Sequence, residues 1–322
     1  MDDTTKRATS RLATISSVAI VAPLLLLLAS CGNSSLSLPP PSASSLASHQ
    51  AVTSTTTLTS RTVGSTSAAS NLPGTTAGAK WVLTSNVLKV ISQYPEVYQR
   101  IVSQGVIEIT PIHSTPLLGA GILPAVKFTS ALTLAKVVSA GELPSWAKAV
   151  AYDPEFWQFT PANEQSDPVS ASQTASVAAR AAGLVYVVTP ALDLTKAIAP
   201  GTLSNGQSLI AQDLFGKLAS TADVLVVQTQ SLEDSSTKFS SILSQASQQA
   251  RSANPRIDLL GGLSTDLHGS SATLTELSSA YKSGLAQANG YWFNVPGPSI
   301  QCPACTGPNF PLALSFLSTG TS

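Results

Sequence analysis

The chain carries little charge. Of its 322 residues, 17 are Lys or Arg and 17 are Asp or Glu, so that charged residues make up 11% of the sequence and the formal net charge is +0. A protein that binds nucleic acid neutralises phosphates with clustered Lys and Arg side chains. Because no basic stripe is present, we expect no nucleic-acid partner.

Cysteine and histidine are also scarce, with three residues of each. Two of the cysteines, Cys302 and Cys305, form a CPAC segment near the C-terminus. A four-ligand zinc site needs more Cys and His at short spacing than the chain offers, so no metal or cofactor is expected. An even pair outside the cytoplasm favours a structural disulfide that holds the C-terminal tail, with a redox or metal role as the alternative.

A long apolar run occurs only near the N-terminus. Residues 12–30, LATISSVAIVAPLLLLLAS, follow a head that contains Lys6 and two arginines, and Cys31 comes next. A basic head, an apolar run and small residues are typical of an export signal. The Leu-Ala-Ser-Cys segment resembles the bacterial lipobox, which implies cleavage before Cys31 and lipid attachment to its sulfur. An uncleaved signal anchor is the alternative, since the run is long enough to span a bilayer.

We therefore expect an exported protein that is lipid-anchored to the outer face of the cell membrane, with residues 1–30 as its signal peptide. Residues 31–79 are rich in Ser, Thr, Ala and Pro, and Arg61 is their one formally charged residue. Such a composition buries too little apolar surface to offset chain entropy, which predicts a disordered tether.

From residue 80 onward, short apolar runs alternate with stretches of helical periodicity. Runs such as LVYVV are apolar throughout, as the strands of a parallel sheet covered on both faces are. Eight such strands with crossover helices predict a (β/α)8 TIM-like barrel over residues 80–300, followed by a tail at 301–322. An open doubly wound sheet is the alternative, and residues 111–125 contain too much Pro and Gly for a normal second helix. We therefore expect distortion around strands 1–3. The predicted strands are 80–85, 106–113, 125–130, 148–154, 184–190, 223–230, 256–264 and 291–297.

In such a barrel, chemistry belongs to the carboxyl ends of the strands. The stretch AVAYDPEFWQFTP, residues 149–161, places Asp153 and Glu155 at the end of strand four, and Asp266 follows strand seven. Paired carboxylates divide acid and base or nucleophile roles when their surroundings separate their pKa values, so these three are the predicted catalytic residues. Neighbouring aromatic, amide and imidazole side chains are the predicted substrate-binding residues: Tyr152, Trp157, His113, Gln228, His268, Trp292 and Asn294.

Two structural alternatives apply to these residues. The Asp-Pro-Glu segment is also a good start for a helical turn, because Asp accepts backbone N–H bonds and Glu suits a positive helix start. On strand two, alternation is expected to turn Glu108 into the barrel, where Lys127 of the next strand would lie beside it as a structural pair. A Schiff-base role for Lys127 would need a lowered pKa.

The Asp153-Pro-Glu155 segment resembles the end of the chitinase-type motif Asp-x-x-Asp-x-Asp-x-Glu, which would make Glu155 the acid and Asp153 its helper. The two earlier motif positions are Lys148 and Ala151 here, not Asp. Another large clan of barrel glycosidases places carboxylates after strands four and seven, as Glu155 and Asp266 are placed. That clan has Glu at strand seven and Asn before the strand-four Glu, and this chain has neither.

A broader resemblance covers most of residues 80–310. YDPEFWQFTPANEQSDP (152–168) and GYWFNVPGPSIQCPACTGP (290–308) are similar to segments of a set of uncharacterised exported bacterial proteins. That family implies no established reaction. The resulting hypothesis is a membrane-tethered barrel lipoprotein that acts on carbohydrate as a glycosidase does. The alternative is a non-catalytic ligand-binding or structural lipoprotein of the cell envelope.

Overall fold

The computed structural model describes residues 80–201, 203–267, 269–299, 302–305 and 307–321. They form a closed barrel of eight parallel strands, each hydrogen-bonded to the next and the last to the first. This confirms the predicted (β/α)8 barrel. The strands are β1 Lys80–Thr84, β2 Val106–Ile109, β3 Ile122–Phe128, β4 Ala149–Tyr152, β5 Val185–Val188, β6 Val224–Val227, β7 Asp258–Ser264 and β8 Gly290–Asn294.

Helices cover the outside of the barrel and follow most of the predicted periodic stretches. The stretch of helical periodicity at 208–222 forms two helices, because Asp213 adopts a left-handed conformation with φ 51° between them. The helices are α1 Ser85–Ile91, α2 Pro95–Gln104, α3 Ala131–Ser139, α4 Ala162–Ser166, α5 Pro168–Ala181, α6 Thr195–Ile198, α7 Asn205–Ala211, α8 Leu214–Ala219, α9 Ser236–Ala253, α10 Leu274–Gly284 and α11 Phe310–Ser315. Among the described residues, no helix has both the length and the apolar character needed to cross a membrane.

Alternation along the strands separates two cores. The larger core lies between the strands and the helices, where strand residues such as Leu83, Tyr152 and Phe293 are buried. The smaller core fills the barrel with the residues of the opposite strand faces. Its members are Val82, Ile107, Ile109, Leu123, Ala125, Ala149, Ala151, Val187, Val224, Val226, Leu260 and Trp292.

The connection between β2 and β3 contains no helix, as the Pro and Gly content of 111–125 predicts. The barrel still closes, because β3 begins at Ile122 and pairs in register with all of β2. The prediction that Glu108 faces the barrel interior is wrong. Ile107 and Ile109 fill the interior instead, and Glu108 accepts the backbone N–H of Leu117 from the connection, at 2.9 Å.

The C-terminal residues close the outer layer where β8 meets β1. α11 packs against α1, the following turn, Phe316–Gly320, packs against α10 and α2, and Phe316 is fully buried. The Phe316 ring contacts Trp81 of β1 edge-on at 6.4 Å and Phe293 of β8 at 5.0 Å. These residues of the predicted tail therefore occupy the place of the eighth barrel helix.

Candidate functional site

Asp153 is the buried centre of a polar cluster at the carboxyl end of the barrel. It follows Ala149 and Ala151 on the inner face of β4, and its side chain is 1% exposed. One carboxylate oxygen accepts hydrogen bonds from Thr189 Oγ1 at 2.5 Å and from Gln228 Nε2 at 2.8 Å. The other oxygen accepts from Lys127 Nζ at 2.6 Å. Three side-chain donors thus hold a carboxylate that water hardly reaches.

Lys127 extends from the inner face of β3 and is the cation of the cluster. Burial disfavours its charge, but the adjacent Asp153 carboxylate and the nearby Glu155 outweigh that effect and raise the pKa of Lys127. A lysine that forms a Schiff base must lose its proton readily, so a raised pKa argues against that chemistry. Lys127 serves as a fixed positive charge.

Glu155 lies two residues after Asp153 and is in the opposite electrostatic situation. Burial raises its pKa well above the usual carboxyl range, and the negative charges of Asp153 and Asp193 add to the increase. Lys127 acts in the opposite direction but does not cancel the effect. Glu155 therefore keeps its proton at neutral pH. A neutral carboxyl beside an ionised one is the arrangement that general acid catalysis uses.

The loop after Glu155 is folded by hydrogen bonds within the motif itself. Thr160 Oγ1 accepts from Trp157 Nε1 at 2.8 Å and from the backbone N–H of Glu155 at 3.2 Å. Gln165 Nε2 donates to the carbonyl oxygens of Trp157 and Thr160 at 2.6 and 2.7 Å. These bonds fix Glu155 and Trp157 at the rim of the barrel, where the Trp157 ring packs edge-on against the exposed Phe159 at 5.2 Å.

Other residues of the same motif serve the helix layer rather than the mouth. Glu164 is buried and accepts the backbone N–H groups of Ala131 and Leu132 at the start of α3. Asp167 caps α5 by accepting from the N–H of Ser170. The placement predicted for Tyr152 is wrong: its ring is fully buried between strands and helices, because β4 alternation turns Tyr152 away from the inner row that leads to Asp153.

Three predicted binding residues lie on the inner side of β6 and β8. Gln228 binds Asp153 and also donates to the Thr189 carbonyl oxygen at 2.6 Å, so it orients the carboxylate. Trp292 is part of the interior core, and its ring centroid lies 5.8 Å from Lys127 Nζ. Asn294, two residues further along β8, pairs in register with Ser264 at the rim and is partly buried.

Asp266, predicted as a catalytic partner, lies beside the disulfide between Cys302 and Cys305. Its carboxylate accepts the backbone N–H of Gly269 at 2.6 Å, and one of its oxygens lies within 4.8 Å of both sulfur atoms. With the disulfide formed, these sulfurs are not metal ligands. His113 is exposed in the β2–β3 connection, and His268 lies outside the described residues.

Sequence reasoning missed two polar residues, Thr189 and Glu233, and named Gln230 only as an amide that would hold a ligand in a non-catalytic binding protein. Thr189 looked like the ordinary end of β5, yet it binds Asp153. Gln230 contributes a buried side-chain oxygen with no hydrogen-bond partner. Glu233 accepts the N–H of Ser264 at 2.6 Å, and burial raises its pKa to about 8. Gly262 of the neighbouring strand β7 leaves room for the Gln230 side chain.

The solved structures that match this chain share little sequence identity with it. No protein-family model matches the chain, and no curated protein matches it by sequence. Triosephosphate isomerase from Bartonella henselae is 14% identical with a TM-score of 0.41, over 67% of this chain and 92% of that one. A curdlan-specific exo-β-1,3-glucanase from Blastomyces gilchristii is 12% identical with a TM-score of 0.41, over 66% and 88%. The glycoside hydrolase domain of PgaB from Bordetella bronchiseptica is 7% identical with a TM-score of 0.38, over 70% and 97%.

Proposed function

We propose that this protein is a glycosidase-like barrel that hydrolyses a carbohydrate outside the cytoplasm, with Glu155 as its general acid. Glu155 donates its proton to the bridging oxygen as the bond from that oxygen to the anomeric carbon breaks. Water adds to the anomeric carbon, and the surplus proton of that water returns to the Glu155 carboxylate. Asp153 is the helper that keeps Glu155 protonated in the resting state.

One observation carries this proposal, namely that the two adjacent carboxyl groups have different surroundings. Asp153 accepts hydrogen bonds from Lys127, Thr189 and Gln228, whereas burial and the Asp153 charge raise the pKa of Glu155. A pair of acids that merely capped a turn would instead accept backbone N–H groups, as Glu164 and Asp167 do.

Aromatic side chains supply the surface on which a sugar would stack. Trp157 is partly buried, and Phe156 and Phe159 on either side of it are 41% and 42% exposed. Their rings follow Glu155 directly along the rim. Apolar ring faces beside an acid suit the carbon-bound hydrogens of a sugar, so Trp157 is the proposed platform at the cleavage point.

A non-catalytic binding protein is the second candidate. The three donors that hold the Asp153 carboxylate favour it, because they leave that group little freedom to react. A carboxylate already held by three donors is a poor nucleophile, so no covalent intermediate on Asp153 is part of either proposal. In the binding role, the same aromatic and amide groups hold a sugar without turnover.

The decisive experiment compares two leaving groups in the wild type and in Glu155→Gln. Laminarin, chitin, cellulose and xylan are screened together with the matching 4-nitrophenyl glycosides. A general acid matters most when the leaving group is a poor one. Glu155→Gln should therefore lower kcat on the polysaccharide roughly 10²–10⁴-fold. It should affect the nitrophenyl substrate far less.

Glu142→Gln is the matched control, because Glu142 is an exposed acid between α3 and β4. Its activity should equal that of the wild type. If Glu155→Gln lowered kcat equally on the polysaccharide and on the nitrophenyl glycoside, that result would contradict the general-acid role. No turnover of any substrate by wild type, with saturable binding retained, would select the binding protein.

We further propose that Cys31 carries a lipid and that residues 31–79 tether the barrel to the membrane. The support is the lipobox-like Leu-Ala-Ser-Cys segment after the apolar run. Cys31→Ser expressed in a bacterial host should move the protein from the detergent phase to the aqueous phase of a Triton X-114 partition. Retention of Cys31→Ser in the detergent phase would favour an uncleaved signal anchor.

A further inference from the structure

Among the described residues, two of the buried side-chain atoms without a hydrogen-bond partner belong to Trp292 and Gln230 at the barrel mouth. One is Nε1 of Trp292, a residue of the interior core that is 6% exposed. The other is Oε1 of Gln230. The first atom is a donor and the second an acceptor. Leaving such groups buried and unpaired costs free energy, so each requires an explanation.

Gly262 brings the two side chains to neighbouring positions on one wall. It is the register partner of Trp292 across β7 and β8. A Cβ atom on Gly262 would lie 2.3 Å from Gln230 Oε1, so the Gln230 amide lies over the bare Cα of this glycine. Any larger residue at 262 would displace the amide. The strand thus leaves space for the acceptor beside the indole.

The same wall borders the charged cluster described above. Lys127 Nζ lies 5.8 Å from the Trp292 ring centroid and is paired with Asp153. Gln228, two residues before Gln230, binds Asp153. A group bound between Trp292 and Gln230 is therefore held next to the residues proposed to act on it.

A hydroxyl is the ligand group whose chemistry matches both atoms, because it accepts from an indole N–H and donates to an amide oxygen. A carboxylate or phosphate lacks the proton to donate to Gln230, and an ammonium group lacks the lone pair to accept from Trp292. We propose that Trp292 and Gln230 form a subsite for a hydroxyl of an uncharged sugar ring, with Gly262 as the residue that keeps it open. This inference rests on the proposed carbohydrate-binding function and specifies its ligand chemistry.

The indole N–H resonances of nitrogen-15-labelled protein test this subsite directly. The chain has four Trp residues. Trp81 Nε1 donates to Gln104 and Trp157 Nε1 donates to Thr160, whereas Trp292 Nε1 has no partner. Trp292→Phe assigns the resonance by its disappearance. Titration with the methyl glycosides of glucose, galactose, mannose and N-acetylglucosamine should shift that resonance downfield and saturably for at least one sugar.

Variants then separate recognition from folding. Trp292→Phe and Gln230→Leu should each weaken binding of that sugar roughly fivefold, the size of one neutral hydrogen bond. Gln230→Leu should leave the unfolding midpoint unchanged, because Gln230 Oε1 forms no hydrogen bond in the free protein. Trp292→Phe removes buried ring atoms from the interior core and should lower the midpoint. The monodeoxy derivative that lacks the bound hydroxyl should bind the wild type roughly fivefold more weakly than the parent sugar does. In Trp292→Phe, removal of that hydroxyl should cause no further loss of affinity. Trp146→Phe, at a partly buried site on the α3–β4 connection, is the control.

Several results would overturn the subsite: no saturable shift with any of the four sugars on the wild type, a sugar affinity measured by calorimetry that Trp292→Phe and Gln230→Leu leave unchanged, or equal binding of every monodeoxy derivative. Glu155→Gln keeps the subsite intact and should bind the sugar as wild type does. Normal sugar binding together with unchanged turnover in Glu155→Gln would therefore reject the proposed acid while retaining the subsite.

Discussion

Asp153 and Glu155 differ in protonation because of what surrounds each carboxyl group. Asp153 receives three side-chain donors, one of them the Lys127 cation. Glu155 is buried next to the resulting anion, which raises its pKa. Two identical functional groups two residues apart thereby acquire different chemistry.

The titration of Glu155 should respond to its neighbours in a defined order. Asp153→Asn removes the larger repulsive charge and should lower the pKa of Glu155, and Asp193→Asn should lower it less. Lys127→Met should raise it, because Lys127 is the neighbour that opposes the increase. Carbon-13 NMR of the Glu155 carboxyl group measures these shifts without any substrate. Any enzymatic rate that depends on the acid form should decline on the alkaline side, and that decline should begin at lower pH in Asp153→Asn. Identical titrations in all three variants would contradict the electrostatic account.

The ion pair between Lys127 and Asp153 should be strongly coupled in stability. Lys127→Met leaves a buried carboxylate without its cation, which should lower the free energy of unfolding by about 3 kcal/mol. The double variant Lys127→Met/Asp153→Leu should be less destabilised than the sum of the two single variants. Urea unfolding measures this cycle.

The matched control for that cycle is the pair between Lys80 and Asp258, also 2.6 Å apart. Its carboxylate is 17% exposed, against 1% for Asp153, so solvent compensates for a lost partner more fully. Its coupling should be smaller. Equal coupling in the two pairs would argue that burial of Asp153 is unimportant.

At the residue scale, the sequence located Asp153 and Glu155 after β4 but assigned the wrong strand face to Glu108 and Tyr152. Asp153 and Glu155 follow a strand of four buried residues, so their place at the mouth follows from the strand itself. The orientation of Glu108 depended instead on Leu117 in an irregular connection, a partner that periodicity does not reveal. Thr189 was missed for a similar reason, since its role arises only when β5 lies beside Asp153.

At the scale of elements, one motif builds both the site and its support. The segment that carries Asp153 and Glu155 continues into α4, where Glu164 accepts two N–H groups and the Ser130 hydroxyl at the start of α3. The carboxylate also matches the positive end of the α3 dipole. The sequence offered Asp153 and Glu155 as caps of the following turn and did not indicate Glu164, because α3 precedes Glu164 by about thirty residues and only the fold brings them together.

Removal of this cap should destabilise the protein without changing the charged cluster. Glu164→Ala leaves buried N–H groups without an acceptor and should lower the free energy of unfolding by about 2 kcal/mol. Glu276→Ala, in the exposed capping box of α10, should cost about 1 kcal/mol or less. Urea unfolding gives both values, and the Glu155 pKa should stay unchanged in both variants. A larger loss for Glu276→Ala would reject the importance assigned to Glu164.

At the scale of the molecule, the number and order of strands followed from the alternation of apolar runs and helical stretches. What the sequence alone left open was closure, since an open doubly wound sheet uses the same units. The decisive contacts join β1 to β8, which lie more than two hundred residues apart in the chain. They depend on one small residue, because the backbone of Lys80 approaches Gly290 more closely than any side chain permits.

Closure should therefore be sensitive to a single methyl group. A Cβ on Gly290 would lie 2.1 Å from the Lys80 carbonyl oxygen and 2.7 Å from its nitrogen, and backbone atoms in a strand ladder have little freedom to move. Gly290→Ala should separate β1 from β8, lower the unfolding midpoint by several degrees or more, and increase hydrogen exchange at both strands. Gly201→Ala is the control, because its Cβ meets nothing within 4 Å, and it should behave as wild type. Unchanged hydrogen exchange at Lys80–Thr84 in Gly290→Ala would mean that the close contact between Lys80 and Gly290 does not govern closure. A uniform loss of stability, with no extra exchange at β1 and β8, would place the strain elsewhere in the barrel.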